Sequence, residues 1–214
     1  MRHPSIRNRY AIAMILAAAC IAITEWTAAR AFVTHFDTTI LHAIRIRTSP
    51  AGLRVFEFIS RLGAGATLVW IAAIAVLFLG WKQRWRLALG VSLTIFSGAI
   101  LERILKWWFH RARPEFAAAY LPRYSYSFPS GHAMSSVIAY GILVYALIRC
   151  GVHDRRAQRG IVIGVGILVL SIAFSRLYLG VHYFSDVIAG LITGGLWLAI
   201  CISLLEKSSP KSRQ

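Results

Sequence analysis

Three short segments of this 214-residue chain hold nearly all the side chains that can do acid–base or nucleophilic chemistry, and each lies beside the end of an apolar run. The first runs from Lys106 through Trp107, Trp108, Phe109, His110 and Arg111 to Arg113 and Pro114. Lys106 and Arg113 are seven residues apart, about two helical turns, so a helix carried past the membrane rim would point both cations the same way. Two fixed cations suit a phosphate; basic residues at a membrane helix end also serve as anchors that reach for the headgroups. The second segment is Phe128, Pro129, Ser130, Gly131 and His132. Pro and Ser begin a helix, Gly131 lets the backbone approach a ligand, and the free N–H groups of a first helical turn bind anions. His132 would stand beside that anion, although a plain helix cap with an interfacial histidine uses the same residues. The third runs from Ser175 and Arg176 to His182 and Asp186. At a spacing of four, a helix starting here sets the carboxylate beside the imidazole, as an oriented base or nucleophile requires. An acid at the start of an apolar span is costly unless paired, and packing networks use such pairs as well as active sites.

The elements that must position these segments are membrane helices. The chain is 57% hydrophobic, well above the apolar share of an ordinary soluble domain. Apolar runs of near-membrane length cover Tyr10–Ala29, Leu62–Gly80, Leu87–Leu105, Ser130–Ile148, Gly160–Phe174 and Tyr183–Leu205, which predicts an all-α bundle of six spans. The basic start, Met1–Arg9, raises the question of a signal peptide. Thr27, Ala28 and Ala29 follow Glu25 and Trp26 directly, a poor cleavage pattern, and the run is as long as a full span, so it reads as a retained first helix. Ser97, Gly98, Gly164, Gly166, Gly190, Gly194 and Gly195 allow close helix approach in lipid. Between the first and second spans, Phe32, Phe36, Ile40, Leu41 and Ile44, then Leu53, Phe56 and Ile59, recur at helical spacing and predict short amphipathic helices at the interface. These would steer a lipid or, more simply, cap the bundle. The expected organisation is one membrane domain, residues 1–207, and a disordered cytoplasmic tail, residues 208–214. Cys20, Cys150 and Cys201 share no close spacing and read as small packing residues.

Lys and Arg outnumber Asp and Glu by 24 to 8, a net charge of +16 that suits anionic headgroups or phosphorylated ligands. The basic residues are scattered between apolar spans and form no soluble basic face, which argues against nucleic acid. Arg2, Arg7, Arg9, Lys82, Arg84, Arg86, Arg149, Arg155, Arg156, Arg159, Lys207, Lys211 and Arg213 fall on one side of a six-span layout. By the positive-inside rule that side is cytoplasmic, with both termini on it and the three reactive segments opposite. The opposite side is basic too, but several of its charges have a chemical explanation.

Taken together, Lys-x6-Arg-Pro, then Pro-Ser-Gly-His, then Ser-Arg-x5-His-x3-Asp, each at a helix end, closely resembles the type 2 phosphatidic acid phosphatase superfamily, the lipid phosphate phosphatases. The likeness covers every signature position, and the six-helix layout extends it over most of the chain. It implies that His182 attacks phosphorus to form a phosphohistidine, that Asp186 orients the ring, and that His132 protonates the leaving oxygen. Lys106, Arg113 and Arg176, with Ser130 and the Gly131 N–H, would hold the non-bridging oxygens. Three cations around one phosphate take the place of a metal, and the resemblance implies no cofactor. His110, Arg111 and Glu115 read as loop residues that tune substrate choice, and Tyr124 and Tyr126 as interfacial aromatics or the lining of a lipid entrance.

The implied protein is a bacterial cytoplasmic-membrane enzyme with its site facing the periplasm or exterior. It would act on phosphatidylglycerol phosphate, phosphatidic acid or undecaprenyl pyrophosphate, with membrane lipids as its surroundings and no protein partner evident. Alternatives are a lipid A phosphatase or phosphotransferase using the same residues and a non-catalytic transporter of anionic lipids. A vanadium haloperoxidase is argued against by the spans.

Overall fold

Helices follow the apolar runs and stop at residues with a physical reason to stop them. The computed structural model describes residues 27–119 and 125–207, and the statements below concern those residues. The first helix, α1, covers Thr27–Arg45. Ser49 caps α2, Pro50–Leu62, by accepting from the Gly52 N–H at 3.1 Å, with Pro50 in the first turn where its missing N–H costs nothing. After a break at Gly63 come α3, Gly65–Trp81, and α4, Trp85–Phe109. A 3-10 turn, Glu115–Ala119, precedes the long helices α5, Gly131–Cys150, α6, Arg155–Tyr178, and α7, Phe184–Lys207. Asp154 caps α6, accepting from the N–H groups of Arg156 and Ala157 at 3.1 Å each. The described residues form no strand.

Four of these helices, α4 to α7, are long and apolar enough to cross a bilayer, and five spans result if α2 and α3, bent by 42°, are one broken span. The expected first span, Tyr10–Ala29, lies almost wholly outside the described residues, as do the tail and Tyr124. The chain is an integral membrane protein.

Its outer face is apolar, with Trp70, Leu77, Phe96, Ile163 and Ile167 exposed to where lipid tails would lie. In such a solvent, close packing rather than escape from water selects the helix contacts. Helix α5 is central, lying against α4, α6 and most extensively α7. On α7, a Cβ at Gly190 would stand 2.6 Å from the Ser130 carbonyl oxygen, and one at Gly194 would stand 2.7 Å from that of Met134. Both positions therefore require glycine. Three apolar clusters fill the described bundle: Leu79, Ala88, Val91, Ile142 and Ala146; Ala133, Ala173, Leu177 and Val187; and Ala117, Leu179 and Val181.

The two helices expected at the interface are more deeply engaged than a cap. On α1, Phe32 and Phe36 are exposed while Asp37 and Leu41 are buried. On α2, Ser60 is buried, and a Cβ at the following break, Gly63, would run into Ile172 and Ser136. Both helices thus reach the end of the bundle where the reactive segments meet.

Candidate active site

Helix α4 stops because His110 adopts a left-handed conformation, φ 46°, while its N–H still reaches the Lys106 carbonyl at 3.1 Å. The chain then turns back, and the Ser127 N–H donates to the Arg111 carbonyl at 2.8 Å. Lys106 and Arg113 are brought together by this turn rather than by the continued helix that their spacing predicts. Lys106 Nζ lies 3.4 Å from Glu102 Oε1, one helical turn earlier, and donates to the Tyr126 carbonyl at 3.4 Å. Arg113 is held from two sides: Nε donates to Ser125 O at 2.9 Å and Ser125 Oγ at 3.0 Å, and Nη1 to Val181 O at 2.9 Å.

The second segment is tied to the third by backbone. Ser130 N–H donates to the Asp186 carbonyl at 2.9 Å, next to a cis Phe128–Pro129 bond. Gly131 opens α5, and any Cβ there would collide with the Glu102 carboxylate. A Cβ at this position would fit only if the Glu102 carboxylate, the far end of a flexible side chain of α4, swung aside. His132, on the first turn of α5, lies within electrostatic reach of Arg176, His182, Lys106 and Arg113.

His182 sits in the connection between α6 and α7, just ahead of the helix, and is 1% exposed. Its Nδ1 faces Asp186 Oδ2 at 3.5 Å and Ser127 Oγ at 3.4 Å, and its Nε2 lies 3.1 Å from Arg113 Nη1. A neutral ring with the proton on Nδ1 satisfies both sides, donating toward the carboxylate and turning the Nε2 lone pair to the guanidinium. Burial, opposed by the hydrogen bond and charge of Asp186, lowers the ring's pKa to about 4, so it is unprotonated at neutral pH. The Asp186 carboxylate is fully buried; its Oδ2 accepts from the Tyr183 N–H at 2.9 Å and from Ser127 Oγ. Arg176, on the last turn of α6, donates from Nη1 to Ser60 Oγ on α2. Among the described residues four buried side-chain atoms have no hydrogen-bond partner, Arg45 Nη1, Ser136 Oγ and, at this site, Ser130 Oγ and Arg176 Nε. Such orphans are costly in a finished core and suit a site that takes a polar ligand.

Every expected site residue is therefore brought to one end of the bundle, and five further residues, Arg111, Asp37, Ser60, Glu102 and Ser127, join them. Arg111 is no loose loop cation: its Nη1 donates to Asp186 Oδ1 at 2.6 Å and its Nη2 to Asp37 Oδ2 at 2.7 Å. Its pKa is raised because the nearby Asp186 and Asp37 carboxylates outweigh the effect of its burial, so it is a permanent cation. Asp37, Ser60, Glu102 and Ser127 carried no motif. Asp37 had a faint signal: with Leu41 and Ile44 it occupies the apolar stripe of α1, where a carboxylate needs a buried partner. Among the described residues, no group of three or more His, Cys, Asp or Glu side chains is placed to hold a metal ion.

A helical membrane protein that gathers several cations and two histidines at one end of its bundle has the side chains that a membrane phosphatase needs. Residues 85–210 match the profile of the PAP2 superfamily, and the chain belongs to that superfamily. It is 30% identical to phosphatidylglycerophosphatase B of Bacillus subtilis over 172 residues, 80% of this chain and 84% of that protein. The crystal structure of a transmembrane PAP2-type phosphatidylglycerolphosphate phosphatase from Bacillus subtilis superposes with a TM-score of 0.83 at 26% identity, covering 94% of this chain and 98% of that one. Aquifex aeolicus LpxE shares the fold at a TM-score of 0.58 and 22% identity, over 78% of this chain and 95% of its own.

Proposed function

We propose that this lipid phosphatase hydrolyses a terminal phosphate on a membrane lipid, phosphatidylglycerol phosphate foremost, with His182 as nucleophile. The observation that carries the reading is the orientation of His182. Its Nδ1 side is held by Asp186 and Ser127, leaving Nε2 aimed at the Arg113 guanidinium. A phosphoryl group held there by Lys106, Arg113 and Arg176, and by Ser130 Oγ and the Gly131 N–H, would offer its phosphorus to Nε2. As the N–P bond forms, the P–O bond to the lipid breaks, and His132 gives its proton to the departing oxygen. Asp186 meets the positive charge that grows on the imidazole. In the second step water attacks phosphorus, its proton passes to His132, the N–P bond breaks and inorganic phosphate leaves. The buried unpartnered atoms Ser130 Oγ and Arg176 Nε support this placement of the phosphate. The choice of substrate rests on the Bacillus subtilis relative's name.

The same reading includes a six-span topology, with Tyr10–Ala29 as the first span and both termini, including the tail from Ser208, in the cytoplasm. It places the site at the periplasmic or exterior rim of the cytoplasmic membrane, in one domain covering residues 1–207. The basic loops at Lys82–Arg86 and Arg149–Arg159 support that orientation.

Purified protein in detergent is expected to release phosphate from phosphatidylglycerol phosphate in excess EDTA at the rate seen without it. Activity that EDTA abolishes and magnesium restores would rule out a site run by side-chain cations alone. Phosphatidic acid and undecaprenyl pyrophosphate in the same assay rank the headgroups; a preference for either moves the assignment to that lipid. The pH dependence gives a second check. An ordinary histidine loses its lone pair below about pH 6.5, whereas His182 holds it down to about 4. The acid limb of kcat/KM, corrected for ionisation of the substrate, is therefore expected close to pH 4. A limb near 6.5 would contradict a buried neutral nucleophile.

A further inference from the structure

Asp37 lies outside the stretch that matches the superfamily, residues 85–210, yet its carboxylate accepts as many hydrogen bonds at the site as that of Asp186, three each. Its Oδ2 accepts from Arg111 Nη2 at 2.7 Å and from Ser185 Oγ at 2.5 Å, and its Oδ1 from the Ser185 N–H at 2.8 Å. Its exposure is 0%. Ser185 Oγ also accepts from Arg111 Nη1 at 2.7 Å, the same nitrogen that binds Asp186 Oδ1. The Arg111 guanidinium lies over the Tyr183 ring, 4.4 Å from its centre, which fixes its plane. One rigid fork thus spans two carboxylates, one on α1 and one on α7.

We propose that Asp37 is a positioning residue of the catalytic centre: through Arg111 it orients the Asp186 carboxylate and leaves that carboxylate's negative charge available to His182. The inference rests on the reading that His182 and Asp186 act together. Its logic is a charge balance. A lone arginine against Asp186 would fix the carboxylate but cancel its charge, just where a positive imidazole must be supported. With Asp37 on the other end of the fork, the three groups together carry one negative charge, on the side that faces His182. A helix that only needed anchoring would be served by the apolar contacts of Leu41 and Ile44, without the cost of burying a carboxylate.

The test uses the full-length enzyme in detergent, with turnover referred to the folded, monodisperse fraction and KM measured beside kcat. Asp37→Asn is nearly isosteric and removes only the charge. It is expected to lower kcat about tenfold or more with KM within about twofold. Arg111→Met should be at least as damaging, since it leaves two buried carboxylates unopposed. The double variant Asp37→Asn/Arg111→Met restores the single negative charge on Asp186, which Ser127 and Tyr183 still hold. It is expected to turn over faster than either single variant in kcat per folded enzyme at unchanged KM, whereas a purely structural anchor would show its non-additivity in thermal stability and not in the kcat of the folded fraction. A parental kcat in Asp37→Asn, or a double variant no faster than the singles, overturns the proposal. If one single variant fails to fold, comparison of the double with the other still decides. His182→Ala, run in parallel, separates the two claims: if it is inactive while Asp37→Asn is unaffected, only this inference fails.

Discussion

His182→Ala is expected to remove phosphate release, lowering kcat by about a thousandfold or more, while lipid binding and folding persist. A thousandfold corresponds to about 4 kcal/mol of lost transition-state stabilisation. The size of the effect follows from the ring's place in two networks. On one side it closes the Ser127–Asp186 cluster, and on the other its Nε2 is the group presented toward Arg113. Without the ring, water would have to attack directly at a site whose cations still hold the phosphate, so KM should change far less than kcat. Turnover of a 32P-labelled substrate quenched in alkaline SDS, which preserves a phosphohistidine, sharpens the comparison. The parent enzyme should retain acid-labile label on protein, and the variant should retain none. Turnover within tenfold of the parent would eliminate His182 as nucleophile, whatever became of the label.

The sequence made the reactive side chains legible because they are confined to short motifs at helix ends, where a polar residue beside an apolar run is conspicuous. It was less informative about what holds those side chains. The spacing of Lys106 and Arg113 predicts a continuous helix, but His110 ends α4 and the chain turns, a change that depends on one residue at positive φ. Gly131 read as room for a ligand, whereas its missing Cβ first makes room for Glu102. Arg111 and Asp37 are 74 positions apart, so no local spacing could pair them. The spans were visible because lipid demands long apolar runs. Within the described residues the five expected spans match the upper count of the structure, with Leu62–Gly80 joined to the amphipathic α2 as a broken pair. The small residues show the same division. Gly98, Gly190 and Gly194 face neighbours that a methyl group would strike, while Gly164, Gly166 and Gly195 face open space, and composition alone does not distinguish the two sets.

That distinction leads to the second large effect, at a residue that does no chemistry. Gly190→Ala is expected to destabilise the protein and to lower kcat about a hundredfold in the fraction that still folds. The new methyl carbon would lie 2.6 Å from the Ser130 carbonyl oxygen, 3.2 Å from Ala133 Cβ and 3.3 Å from the Met134 nitrogen. Two of these are backbone atoms of α5, so no rotamer change relieves the clash and the helices must separate. Overpacking of this kind typically costs about 1–3 kcal/mol. The catalytic consequence is separate from the stability cost. Ser130 N–H is bonded to the Asp186 carbonyl one turn before Gly190, so α5 and α7 carry His132 and Asp186 on opposite sides of the contact that is forced apart. A displacement of about 1 Å between groups that must act together costs on the order of a hundredfold in rate. Gly195→Ala on the same helix meets nothing within 4 Å and is the matched control, expected to leave both thermal stability and kcat unchanged. Equal behaviour of the two variants would show that α7 tolerates displacement from α5, and that close helix packing does not set the geometry of the site.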